Sequence, residues 1–261
     1  MIRLKNIVGK LKIFKIRFKI RKSTHYLYHA EKGEDMNGFM IEKPIPYYEQ
    51  FYHSIKAMIF EGKFKPGERI VENQLAKEFN VSKSPIREAI RMLEQDGLIV
   101  MDEKSRMIVY QPTLKDVEEI YFCRKALESF AIRLMIQKAT DEEISEIENV
   151  LNETEKSIQE LKDLNAIISF NESFHNLIIE YTKNERLKKQ LKNLKAIMYF
   201  FRIMNFEGGT RAKDILKQHR EIFSHIKNRD EEQAAKAMLN HLQLDLDHLT
   251  EVLKNNATLN V

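Results

Sequence analysis

Glycine and proline are scarce, at 8 and 5 of 261 residues, which excludes the turn-rich chain of an all-β fold. Cysteine occurs once, as Cys123, so neither an intramolecular disulfide nor a multi-cysteine zinc site can form, and a reducing compartment fits that count. No uninterrupted apolar run reaches the roughly 18 residues a membrane helix requires, so a membrane span is unsupported. What is present is ample apolar content, 43%, enough to build the core of one large domain or of two ordinary ones. That content speaks against a disordered or fibrous chain.

Charge is unevenly distributed. The formal net charge is +4, but residues 1 to 35 alone hold 10 Lys/Arg and 3 Asp/Glu, which leaves the remaining 226 residues at net −3. A generally basic, nucleic-acid-coating protein is therefore disfavoured, and any polyanion site beyond residue 35 depends on where charges are placed. From Arg3 to Lys22 nine basic residues interleave with Leu, Ile, Val and Phe, without an acid. Interruption by Lys or Arg speaks against a secretory signal, whereas a membrane-surface or polyanion-binding arm is chemically feasible. Lys32-Gly33-Glu34 can be encoded as AAAGGAGAA, a ribosome-binding sequence just ahead of the Met36 codon. The expectation is that residues 1 to 46 form a basic extension and that translation starts at Met36.

Between about residues 47 and 112 the pattern predicts a winged helix-turn-helix. Phe51, Ile55, Met58 and Ile59 fall near one face of a helix that Gly62 closes. Lys65-Pro66-Gly67-Glu68 suits a type II turn, because proline fixes φ and glycine accepts positive φ. A second helix over about 72 to 79 packs Leu75, Ala76 and Phe79. Ser84-Pro85 predicts the start of a third, running through Ile86, Ala89, Ile90 and Leu93 to Gly97. Apolar runs at 98 to 101 and 107 to 110 flank a polar tip, as in a hairpin. Such a unit lays the start of its third helix in the major groove of double-stranded DNA. Ser82, Lys83, Ser84, Arg87 and Arg91 would face the DNA there, with Lys104 or Arg106 on the wing. Over 48 to 112 the basic and acidic residues balance at ten each, so one copy should bind weakly and a homodimer on a two-fold operator is required.

The run Gly62-x-x-x-Pro66-Gly67-Glu68-x-Ile70-x-Glu72-x-x-Leu75-Ala76 resembles the GntR family of bacterial transcription regulators. So does Val81-Ser82-Lys83-Ser84-Pro85-Ile86-Arg87-Glu88-Ala89-Ile90-x-x-Leu93-x-x-Asp96-Gly97-Leu98-Ile99. The resemblance implies operator contacts from Ser82, Lys83, Ser84, Arg87 and a wing residue. The wing departs from the pattern, with Lys104-Ser105-Arg106 where the family usually has glycine.

Residues 113 to 255 predict an antiparallel bundle of six or seven helices, which makes the fold class mostly α. Thr113-Leu114-Lys115-Asp116 and Thr140-Asp141-Glu142-Glu143 fit capping boxes. Further helices are expected at about 165 to 182, 184 to 205, 211 to 227 and 231 to 254, separated by Lys183-Asn184, Glu207-Gly208-Gly209 and Asn228-Arg229-Asp230. Asn171 and His175 share a face at i and i+4, and they, His219 and His241 lie among apolar residues that would turn them inward. Three imidazoles and one oxygen ligand suit a divalent ion, Zn, Ni, Mn or Fe. Asp116-Val117-x-Glu119-x-Tyr121-x-x-Arg124-x-x-Leu127-Glu128, with the three histidine segments in order, resembles the FCD ligand-binding domain of the FadR subfamily. That resemblance implies a metal site using Asp where this chain has Asn171, and a small carboxylate effector. Losing that charge should weaken the ion's hold. Arg124 and Arg202 are the candidate carboxylate partners.

The resulting expectation is a cytoplasmic, dimeric, non-enzymatic transcription regulator. The competing class is a metal-dependent hydrolase or lyase with a DNA-binding appendage, which would need a placed general base; no HExxH or GxSxG motif supplies one.

Overall fold

The computed structural model describes residues 45–161, 163–206 and 210–258. The basic segment, the Met36 start and the Glu207-Gly208-Gly209 separator lie outside the described residues. The protein is mostly α-helical, with an N-terminal winged helix-turn-helix followed by a helical bundle.

Helices α1 (Tyr47–Phe60), α2 (Glu72–Glu78) and α3 (Lys83–Gln95) precede strands β1 (Ile99–Met101) and β2 (Met107–Val109). Ile55 and Ile59 of α1 and Ile86, Ala89, Ile90 and Leu93 of α3 are buried, so the two helices close one core between them. The turn at Lys65-Pro66-Gly67-Glu68 forms as its residues require: Gly67 has φ +77° and the Glu68 amide donates to Lys65 O at 2.9 Å. The strands pair antiparallel, Ile99 opposite Val109. Backbone bonds from Ile70 N to Met107 O and from Val109 N to Glu68 O add the chain after the turn as a short third line against β2.

The third helix begins two residues earlier than Ser84-Pro85, read as N-cap and first residue, suggests. Ser82 is the N-cap, without a side-chain cap bond, and Pro85 falls in the first turn. Proline is tolerated there because first-turn amides have no intrahelical acceptor in any case.

The bundle comprises α4 (Leu114–Lys138), α5 (Asp141–Gln159), α6 (Leu164–Glu180), α7 (Glu185–Lys192), α8 (Lys195–Asn205), α9 (Arg211–Lys227) and α10 (Glu231–Thr258). Both capping boxes form: Thr113 with Asp116 opens α4, and Thr140 with Glu143 opens α5. The long helix α4 runs against α10, which also packs on α9, while α5 lies against α6 and α9.

The single helix expected at 184 to 205 is instead two. Asn193 (φ −65°, ψ −23°) and Leu194 (φ −93°, ψ −7°) keep right-handed dihedrals, but Leu194 N bonds to Leu191 O, three residues back. The break lets α7 bury Leu187 and Leu191 against Ala131 and Ile179, while α8 buries Ala196, Phe200 and Phe201 in the main core. A periodic pattern continues across such a junction, so the sequence does not display it.

Helix α8 also meets the winged helix. The Phe60 and Tyr199 rings lie 4.7 Å apart, and Tyr110 approaches Phe200 at 6.3 Å. Gly97, at φ +74°, packs so closely that a Cβ there would lie 2.8 Å from Ile197 Cδ1.

Candidate functional site

Two regions carry the chemistry the sequence points to. On the winged helix, Ser82, Lys83, Ser84, Arg87 and Arg91 are all exposed at the start and along one face of α3. The basic members recur at every fourth residue, the spacing of one helical stripe. Arg87 Nε lies 3.2 Å from Glu72 Oε2, and Arg91 Nη1 lies 2.8 Å from Glu88 Oε1. At the wing, Asp102 accepts from the Lys104 and Arg106 amides, and its carboxylate holds the Arg106 guanidinium at 2.6 Å. These guanidiniums are partly exposed, and an exposed pair contributes only about 0 to 1 kcal/mol, so each is cheaply exchanged for a phosphate or a base edge. Among the described residues Lys83 and Lys104 have no ion pair. Ser105 takes φ +56° at the position where glycine would be unstrained.

The second region is a polar layer inside the bundle. The rings of His175 (α6), His219 (α9) and His241 (α10) are essentially inaccessible, and one nitrogen from each lies within 4.8 Å of the others. His219 Nε2 is 3.3 Å from His241 Nε2, and Phe174 stacks on His219 at 4.0 Å between ring centroids. Asn171, one turn before His175 on α6, is 4% exposed.

The outer nitrogens are held in place. His175 Nδ1 donates to Glu128 Oε2 at 2.8 Å, and His241 Nδ1 donates to Gln218 Oε1 at 2.8 Å. Each donation puts the proton on Nδ1 and turns a lone pair on Nε2 toward the cluster, the tautomer a metal ligand needs. With His241 Nε2 accepting, His219 Nε2 is the donor of the 3.3 Å contact between them. Taking up an ion therefore requires His219 to release that proton or move it to Nδ1.

Burial explains the protonation states. It pushes His241 down to about 4, and it depresses His175 and, more strongly, His219, where His241 adds to the effect. All three are neutral at pH 7. Burial opposes ionisation of Glu128, but Arg124 and His175 together outweigh it and hold the carboxyl well below its usual range. Arg124 Nε donates to Glu128 Oε1 at 2.7 Å within α4. Asp245 is likewise held low against burial by His241, Arg124 and Arg211, and Arg211 Nη2 lies 2.6 Å from its carboxylate.

Arg202 of α8 is buried and has no ion pair among the described residues, and burial and the like charge of Arg124 depress it. Its Nε, like Arg124 Nη2, has no hydrogen-bond acceptor. Among the described residues three buried guanidiniums, of Arg124, Arg202 and Arg211, stand against two buried carboxylates, of Glu128 and Asp245, which leaves one positive charge in excess. The donor set fits a metal in its three histidines, and the orphaned guanidinium donors fit an anion. Sequence reasoning missed Glu128, Gln218, Asp245 and Arg211. Asp245 stands four residues after His241, a spacing that would have signalled a shared face; Arg211 offers no such signal.

Comparisons with known proteins agree with this layout. The family model described as "Bacterial regulatory proteins, gntR family" matches residues 47–109, and that of the FCD domain matches 119–244. The HTH-type transcriptional regulator YdhC of Bacillus subtilis (strain 168) is 45% identical over 219 residues, 84% of this chain and 98% of that protein. The HTH-type transcriptional repressor RspR of Escherichia coli (strain K12) is 27% identical over 212 residues, 81% of this chain and 92% of that one. Among solved structures, E. coli McbR/YncC superposes with TM-score 0.66 over 80% of this chain and 99% of its own. At 19% identity, that likeness concerns the fold alone.

Replacing Glu128 with Gln keeps an acceptor for His175 but strands the Arg124 charge. The expected loss of folding stability is about 3 to 5 kcal/mol, measured by chemical denaturation. A loss below about 1 kcal/mol would mean that the carboxylate does not organise the layer.

Proposed function

Because the chain belongs to the GntR family of bacterial regulatory proteins and carries an FCD domain, it is a DNA-binding transcription regulator, and we propose that an anionic metabolite bound in the helical domain governs its grip on operator DNA. The observation that carries this reading is the excess positive charge buried beside orphaned Arg124 and Arg202 donors. A carboxylate would satisfy those donors and neutralise the layer at once. Residues 47 to 112 serve DNA reading and residues 113 to 255 serve sensing. Operator contacts come from Ser82, Lys83, Ser84, Arg87, Arg91 and Arg106.

Helix α8 supplies the coupling. It places Arg202 in the polar layer and, within two turns, sets Ile197, Tyr199 and Phe200 against the winged helix. A ligand that draws on Arg202 shifts the balance between two arrangements of the DNA-binding unit. His175, His219, His241 and Asn171 would hold a divalent ion, Zn, Ni, Mn or Fe, which would supply a Lewis-acidic position for the same anion. The neutral Asn171 oxygen makes that ion easily lost.

The DNA-binding unit is electrically neutral, so two copies are needed on the operator. The surface that supports self-association is a strip of α4. Phe122 and Phe130 are 76% and 58% exposed, and Cys123 and Ala126 lie exposed between them. Single exposed aromatics are ordinary, but four small or apolar residues along one helical stripe form a surface that a second copy can cover. No helix among the described residues is long and apolar enough to cross a membrane. A cytoplasmic location goes with the operator as partner. Hydrolase or lyase chemistry is not favoured: the relatives are regulators, and Glu128 and Asp245, the carboxylates beside the histidines, are held in ion pairs.

Arg87→Ala should weaken specific operator binding by about 1 to 3 kcal/mol per half-site while the dimer persists, as read in binding curves on matched and scrambled DNA. Unchanged affinity and preference would remove Arg87 from the readout. Phe122→Glu should yield monomers in analytical ultracentrifugation and lose most operator affinity; an intact dimer would place the interface elsewhere. Metal analysis of the purified protein should show readily chelated divalent ion. Asn171→Asp should hold it more firmly, and His219→Ala should lose both the ion and its thermal stabilisation. Equal, negligible metal in all three, with no ion raising the melting temperature, would make the cluster a polar ligand pocket only.

A further inference from the structure

A cavity of about 370 Å³ opens among α6, α7 and α8, within the size range of small-ligand pockets. Its lining joins the buried layer to the surface, because it includes Arg202, which is 5% exposed and has an unpartnered Nε. Lys195, Met198 and Arg202 occupy i, i+3 and i+7 on α8, one stripe that spans about 10 Å along the helix axis. A cation therefore stands at each end of an apolar stretch, to which Ile179 and Leu191 add opposite walls.

The two ends differ in how their charges are compensated. At the mouth, Lys188 pairs with Glu180 at 2.6 Å and Lys195 pairs with Glu172 at 3.1 Å. Lys192, exposed between them, has no ion pair among the described residues. At the floor, Arg202 likewise lacks an ion pair. One uncompensated cation at each end of an apolar channel is the complement of a molecule with an anionic group at each end of an aliphatic chain.

We propose that the effector is an α,ω-dicarboxylate. One carboxylate is received by Arg202 beside the polar layer, the methylene chain lies along Met198, Ile179 and Leu191, and the distal carboxylate is held by Lys192 at the mouth. This rests on the reading of the helical domain as the sensor of an anion and names which anion it takes. The apolar middle disfavours short hydroxy acids, because against Met198, Ile179 and Leu191 only Asn176 of the lining could serve their polar groups. The mouth lysines exclude simple fatty acids as the preferred ligand, since they leave Lys192 uncompensated.

Calorimetric titration of the full chain with adipate and suberate, and with hexanoate and octanoate as matched monoacids, tests the assignment. The diacids should bind about fivefold more tightly than the monoacids of equal length, and raising the salt should narrow that ratio. In Lys192→Glu, whose exposed position leaves the melting temperature unchanged, the ratio should fall to one or below. Arg202→Gln should lose binding of both acids. Equal affinity for diacids and monoacids, or an unchanged ratio in Lys192→Glu, would overturn the two-ended ligand while leaving an anionic effector in place. Binding of none of the four acids would overturn both.

Discussion

The buried contact of Glu128 with Arg124 and His175 is the constraint on which the helical domain is built. A carboxylate taken out of water is costly, and its attraction to a guanidinium only roughly repays the desolvation. Its value lies in position. Glu128 accepts Arg124 Nε on one oxygen and His175 Nδ1 on the other, so a single side chain of α4 fixes the rotamer of its neighbour and the ring orientation of a histidine on α6. Gln218 does the same for His241 from α9 to α10. Hydrogen bonds at Nδ1 orient the His175 and His241 rings, and the His219 ring stacks on Phe174.

From that layer to the winged helix there is very little intervening structure. Helix α8 is 11 residues long, yet it contributes Arg202 to the polar layer and Ile197, Tyr199 and Phe200 to the contact with the winged helix. The break at Asn193-Leu194 makes this possible, since a straight continuation of α7 would carry the same residues off in α7's direction. The tight approach of Gly97 to Ile197 leaves no slack at the junction. A displaced α8 has to be followed by the winged helix or leave a void beside it.

The two regions handle charge in opposite ways. On α3 and the wing, Arg87, Arg91 and Arg106 rest on acidic neighbours in contact with water, where giving up an ion pair costs little. In the bundle, the guanidiniums of Arg124 and Arg202 retain donors that no protein group satisfies. An unmet donor in a dry interior is a standing penalty that a ligand can remove, and Arg211 Nε, beside Asp245, carries one as well. The excess of cations over carboxylates there is what the proposed anionic effector would neutralise.

Much of this was legible along the chain. The capping boxes at Thr113 and Thr140, the turn at Pro66-Gly67, the helix-turn-helix order and the burial of His175, His219 and His241 follow from local rules: side-chain caps, the allowed φ of glycine, and a period of 3.6 residues. Those rules act over a few residues and need no knowledge of what packs opposite. The junction at Asn193-Leu194 escaped them because its dihedrals remain helical and only the hydrogen-bond register changes. Glu128 with His175, Arg211 with Asp245 and Gln218 with His241 escaped for a different reason. Their partners lie 47, 34 and 23 residues apart and meet only when separate helices dock. The sequence by itself determined which faces turn inward. Tertiary packing alone decided which inward groups touch, because the free energy of a buried charge depends on its neighbours across the core and not on its neighbours in the chain.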